Sequence, residues 1–164
     1  MVFAGCTALG LKMASRLREK QHALLKLIDL IAILKNQICC LGQPLTQAFE
    51  AVSEERIGGV WSCVFHACSK LMKEEQLDAG LAWKKALEQS SNILPFNQAD
   101  LDELSDLGEM LGKSYRQSQA SVLEQEKEKL WILAKKAEEA QRTTGKLYRN
   151  LGALSGAAAV ILLL

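Results

Sequence analysis

The sequence predicts an all-α protein: a compact six-helix bundle with apolar membrane-anchoring segments at both termini. Three observations predict it. Apolar residues recur three and four apart along most of the chain, and no stretch alternates like a strand between turns. Prolines number two and aromatics 5%, so little interrupts a helical chain. All 20 Lys and Arg and all 19 Asp and Glu lie between Lys12 and Arg149. At 164 residues there is room for one domain. Apolar residues at 49% against 24% charged exclude a disordered chain. The expected boundaries are a truncated N-terminal membrane segment over 1–13, a cytoplasmic bundle over 14–147 and a C-terminal membrane segment over 148–164.

The first helix carries apolar residues at 24, 27/28, 31, 34, 38 and 41, and can run on directly from the N-terminal apolar run. Gly42 supplies its C-cap, and Pro44 suits the first turn of the next helix. Leu45, Ala48, Phe49 and Val52 give a short second helix. Ile57, Val60/Trp61, Val64, Cys68 and Leu71 mark a third, with Ser53 as its cap. Asp78 caps a fourth, with Leu81, Ala82, Ala86 and Leu87 inward. The stretch Asn92–Asn97 is a loop around Pro95. Asn97 caps a fifth helix with Leu101, Leu104, Leu107/Gly108 and Leu111 on one face. Gly108 marks a close helix crossing. A sixth helix runs from about Ser114 to Arg142 without Gly or Pro, with Leu123, Leu130, Ala134, Ala137 and Leu147/Tyr148 on or near one stripe. Glu124/Lys127, Glu126/Lys129 and Glu138/Arg142 can pair along its surface.

The ends are charge-free over 1–11 and 150–164. Leu151–Leu164 spans roughly 21 Å at helical rise, less than a hydrocarbon core of about 30 Å, so Tyr148 and Arg149 suit an interfacial boundary one turn earlier. Basic residues flank both runs: Lys12, Arg16, Arg18 and Lys20 after the first, Lys135, Lys136, Arg142, Lys146 and Arg149 before the second. The positive-inside rule then puts the body in the cytoplasm and both termini on the opposite side. The competing reading is that both ends are buried helix termini of a soluble bundle. Gly152 and Gly156, four apart, let another membrane helix approach closely and make homo-oligomerisation possible.

The net charge of +1 argues against a nucleic-acid partner. It averages unlike regions. Lys12, Arg16, Arg18, Lys20, Lys26 and Lys35 face only Glu19 and Asp29 over 12–35, whereas 95–112 holds Asp100, Asp102, Glu103, Asp106 and Glu109 with no base. That acidic helix reads either as a solvated face or as a docking surface for a basic partner, with Asp102, Asp106 and Glu109 the candidates. Asp100 and its neighbours also complement the helix dipole.

There is no phosphate-binding loop, no H-E-x-x-H and no C-x-x-C, so the sequence points to no catalytic residue, metal or cofactor. Five cysteines with an adjacent pair suit reduced thiols better than a disulfide framework. Cys63 and His66 share a helix face, and a soluble enzyme or metal/redox sensor using them is the alternative. Cys68 diverges from Cys63 by roughly 140° around the helix, which favours core packing over ligation. Cys39 and Cys40 are likewise read as packing residues.

Pro44-Leu45 followed by Ala48, then Ala82-Trp83-Lys84-Lys85-Ala86-Leu87, Leu107-Gly108-x-x-Leu111-Gly112-Lys113-Ser114, Gln119, and Lys146-Leu147-Tyr148-Arg149-Asn150-Leu151-Gly152 occur in that order. In these pieces the chain resembles the stage III sporulation protein AB family of endospore-forming bacteria, over nearly its whole length. It departs where the family has Asp after the Gly-x-Ser step; here that residue is Tyr115. The resemblance implies a bundle like the cytoplasmic domain of the type II secretion inner-membrane platform protein F. It implies a place in the mother-cell membrane facing the forespore, in the channel complex joining the two cells. The partners it implies are the cytoplasmic ATPase stage III sporulation protein AA and the other membrane subunits. The expected function is therefore a non-enzymatic membrane platform or adaptor that docks the ATPase.

Overall fold

The chain-long pattern of apolar residues three and four apart becomes six helices in the computed structural model, which describes residues 2–113, 121 and 123–143, with side chains placed from Ser15 onward except those of 109 and 111–113. Helix α1 (Val2–Cys39) is one unbroken rod that carries the N-terminal apolar run straight into the body. It stops at Gly42, whose φ of 67° is left-handed, and the Leu41 amide donates back to the Asn36 carbonyl. Leu41 lies beyond the helix and is exposed rather than on its buried stripe. Pro44 is the residue before α2 (Leu45–Ser53), where its missing N–H costs nothing.

Two sequence expectations fail between α2 and α3 (Val60–Glu74). Ser53 ends α2 instead of capping α3, and its hydroxyl donates to the Glu50 carbonyl. Ile57 is an exposed loop residue. The cap position is Gly59, whose φ of 57° is one that a side chain resists. Helix α4 (Ala79–Ser90) starts as expected: the Asp78 carboxylate accepts from the amides of Gly80 and Leu81. Helix α5 (Gln98–Lys113) starts in a reciprocal box. The Asn97 side chain accepts from the Asp100 amide and the Asp100 carboxylate from the Asn97 amide. The sixth helix, α6, covers 123–143.

Bulk and phase decide the core. Leu24, Leu27, Ile31 and Leu34 of α1 are fully buried against Phe49, Val52, Trp61, Val64, Phe65 and Trp83. The aromatic rings touch: Trp61 stacks on Trp83 at 6.3 Å, and Phe65 meets Trp83 at 5.3 Å. Such pairs add about 0.5–1.5 kcal/mol each beyond their buried area. Both indoles find buried acceptors: Trp61 Nε1 donates to the Ala23 carbonyl and Trp83 Nε1 to that of Leu104. The close α4–α5 crossing at Gly108 is confirmed, since a Cβ there would stand 2.5 Å from Trp83. Leu81, expected inward, is 56% exposed; Trp83, two residues on and across the helix, takes its place.

Three electrostatic ties show the direction of α6. Lys20 bonds Asp100 at 2.7 Å, Lys35 bonds Glu124 at 2.7 Å, and Lys129 lies in the field of Asp106 and Glu103. Lys20 and Lys35 stand roughly 22 Å apart along α1, whereas Asp100 and Asp106 are only about 9 Å apart along α5. The ties are met together when α5 runs alongside α1 in the same sense and α6 runs against it. Leu123, Leu130, Ala134 and Ala137 keep α6 covered along its length. The start of α1 and the 143 end of α6 therefore lie at one pole. Among the described residues no helix is long and apolar enough to cross a membrane, and the expected terminal anchors are not confirmed. Leu147/Tyr148, Arg149, and the Gly152 and Gly156 pair lie outside the described residues.

Candidate functional site

The acidic helix is the part of the surface that sequence and geometry both single out. Its apolar face, Leu104 and Leu107, is buried, which turns Asp102, Glu103 and Asp106 outward. Asp102 and Asp106 come together on one wall of a groove of about 390 Å³ between α4 and α5. Lys84 and Glu88 stand on the other wall, with Leu87 and Leu101 between. Gln98 donates to Asp102 at 3.0 Å, and Trp83 together with Gly108 holds the two helices at a fixed distance. The third candidate, Glu109, has its backbone in α5, but its side chain lies outside the described ones.

Asp100 and Glu126 are the acids here that are both shielded and ion-paired. Asp100 is spent on the helix start and on Lys20, at side-chain exposures of 16% and 22%. Glu126, on α6, is buried, and Lys129 donates to it at 2.7 Å. That hydrogen bond holds the Lys129 ammonium above its ordinary value against the opposing effect of burial, and the charges of Asp106 and Glu103 add to it. Lys129 is thus paired with Glu126, and Glu103 and Asp106 add only their field, so acidic charge remains in excess on this side. Glu126, expected on the helix surface, is buried because it falls in the stripe 123, 126, 130, 134, 137, in phase with the buried leucines and alanines. The expected surface pairs Glu124/Lys127 and Glu138/Arg142 are present at 3.4 and 2.7 Å.

The cysteine alternative finds little geometry. Cys63 and His66 are both exposed on α3, and among the described residues no group of three His, Cys, Asp or Glu is placed to hold a metal. Cys68 is buried among apolar side chains, which pushes its thiol up to about 12. Cys39 ends α1 and Cys40 follows in the turn; both are exposed, so neither is the packing residue expected. Sequence reasoning also missed the outer face of α6, where Trp131 and Ile132 are about half exposed and the Lys135 ammonium sits 4.2 Å over the indole.

Over residues 1–164 the chain matches the family described as stage III sporulation protein AB. It belongs to that family. Stage III sporulation protein AB of Bacillus subtilis (strain 168) is 25% identical over 163 residues, covering 99% of this chain and 95% of that protein. A solved structure titled stage III sporulation protein AB superposes with a TM-score of 0.65 at 23% identity, covering 76% of this chain and 98% of the other. At that identity the likeness speaks for the fold. Membership of the stage III sporulation protein AB family ties the chain to sporulation, and its relatives are named as sporulation proteins rather than enzymes.

Proposed function

We propose that this stage III sporulation protein AB family member is a non-enzymatic platform subunit. Its bundle would be held to the mother-cell membrane by the charge-free ends, facing the cytoplasm, with both termini on the opposite side. The bundle would dock the cytoplasmic ATPase, stage III sporulation protein AA, and sit among the other membrane subunits of a secretion-like channel complex. The observation that supports this most is the antiparallel run of α1 and α6, which brings the start of α1 and the 143 end of α6 to one pole, with the second charge-free run following α6 in the sequence. A protein tethered at both ends in one membrane needs that arrangement. Asp102 and Asp106, side by side on the groove wall, and Glu109, one turn on in sequence, are the contact offered to a basic surface of the ATPase. Gly152 and Gly156 would pack membrane helices.

The test is binding of the full chain in membranes to the ATPase. Charge reversal at Asp102, Asp106 and Glu109 together should weaken binding at least tenfold and flatten its salt dependence. Unchanged binding removes this surface from the reading. Membrane fractionation with protease added from each side tests the tether; release of the chain by salt alone overturns it.

A further inference from the structure

The register of α1 against α6 carries a further inference, which rests on the membrane tether just proposed. Lys35 is level with Glu124. Counted towards the pole in opposite senses at equal rise, the level of Arg16 is reached near Thr143, and Arg18 and Arg142 stand beside that level. These are three arginines from the two ends of the sequence, and all three are exposed. Four acids stand near them, and Arg142 is itself in a solvent-exposed pair. Glu19 accepts from Ser15, Glu138 pairs with Arg142, and Asp100 pairs with Lys20. Glu139 is exposed on α6. In the sequence, Leu11, where the first charge-free run ends, lies five residues before Arg16, and Asn150, where the second begins, lies seven residues after Thr143. In sequence, both apolar runs thus follow closely on this ring of arginines.

We propose that this ring is a headgroup collar: Arg16, Arg18 and Arg142 bind the phosphates of anionic phospholipids and set the bundle upright at a fixed height on the membrane. Guanidinium forks suit phosphate oxygens. Each basic residue near an anionic surface favours binding, within about a Debye length. Neither helix makes the collar alone, because α1 supplies two arginines and α6 the third.

The test uses the full chain with vesicles of phosphatidylcholine, alone or with about 30% phosphatidylglycerol. The wild type should prefer the anionic vesicles by roughly tenfold at low salt, and R16Q/R18Q/R142Q should lower that preference to about twofold. An unchanged preference in the triple variant overturns the collar, as does a variant that loses an acidic protein partner while keeping its lipid preference. Failure of the wild type to float with either vesicle overturns the tether itself. Height is read separately, from nitroxides at Ser15→Cys and Thr143→Cys in a chain whose other cysteines except buried Cys68 are serine. The two should report one depth within about 5 Å; a difference above about 10 Å, seven residues of helical rise, overturns the shared plane.

Discussion

The bundle has two unlike halves. Helices α2 to α5 are joined by aromatic packing: Phe49, Phe65, Trp61 and Trp83 contact one another, and Gly108 is kept bare so that Trp83 fits. The α1–α6 side is tied to the rest partly by charge, through Lys20–Asp100, and α1 to α6 through Lys35–Glu124, while the buried Glu126 pairs with Lys129 within α6. It also leaves Trp131 and Ile132 in solvent. The difference teaches where specificity is spent. Packing fixes the groove that presents Asp102 and Asp106. Ion pairs link α1 to α5 and to α6. Damage to the first half should cost stability, and damage to the second should change arrangement more than stability.

The largest effect is expected at Trp83. It is fully buried, touches three other aromatic rings and donates to the Leu104 carbonyl. Trp83→Ala should cost about 3–5 kcal/mol, read by denaturant unfolding, because the cavity opens at the α4–α5 crossing. Loss of near-ultraviolet circular dichroism with helix content retained would match the idea that this half is defined by packing. A cost below about 1 kcal/mol would break the comparison at its stronger side.

Most of the fold was legible because caps and stripes are local. Gly42, Asp78 and Asn97 were readable from their own conformational and hydrogen-bonding chemistry. The misreadings came where two local signals competed. Ser53 looked like a cap, but the loop before α3 needed a residue with positive φ, and Gly59 supplied it. Leu81 looked like core by hydropathy, whereas the spacing Ala79, Ala82, Trp83, Ala86, Leu87, Ser90 puts Trp83 inside and Leu81 on the opposite face. Of the candidate site, the acidity of α5 was readable along the chain. The groove was not, because its other wall, Lys84 and Glu88, comes from another helix. The field of Glu103 and Asp106 at Lys129 likewise depends on the tertiary arrangement of α5 and α6.

An intermediate effect is expected at Asp100, which belongs to both halves. Its carboxylate closes the helix start with Asn97 and bonds Lys20 of α1. Asp100→Ala should cost about 1–2 kcal/mol, mostly from the lost cap. Lys20→Met should cost less, since an exposed or half-exposed pair contributes about 0–1 kcal/mol. A double-mutant cycle separates cap from clasp. A coupling energy near zero would mean that Asp100 serves α5 alone and that the α1–α5 tie adds nothing.

The smallest effect is expected at Lys35–Glu124, the pair that sets the register of α6. The hydrogen bond to Glu124 raises the Lys35 ammonium above its ordinary value, and the same bond, with Lys127 nearby, lowers Glu124. A depressed carboxylate stabilises the fold above its unfolded value, and that contribution is lost as pH falls through the folded value. A raised ammonium does so below its unfolded value and loses it as pH rises through the folded one. Lys35→Gln should therefore shift Tm by no more than about 1–2 °C between about pH 6 and 9, and the difference should vanish below about pH 4 and in high salt. Its consequence for arrangement should exceed its consequence for stability. A nitroxide distance between Ser15→Cys and Thr143→Cys, in the cysteine background of the depth measurement, should broaden in Lys35→Gln while Tm hardly moves. A Tm loss of about 10 °C, as for a core substitution, would show that this half is held in the same way as the aromatic one.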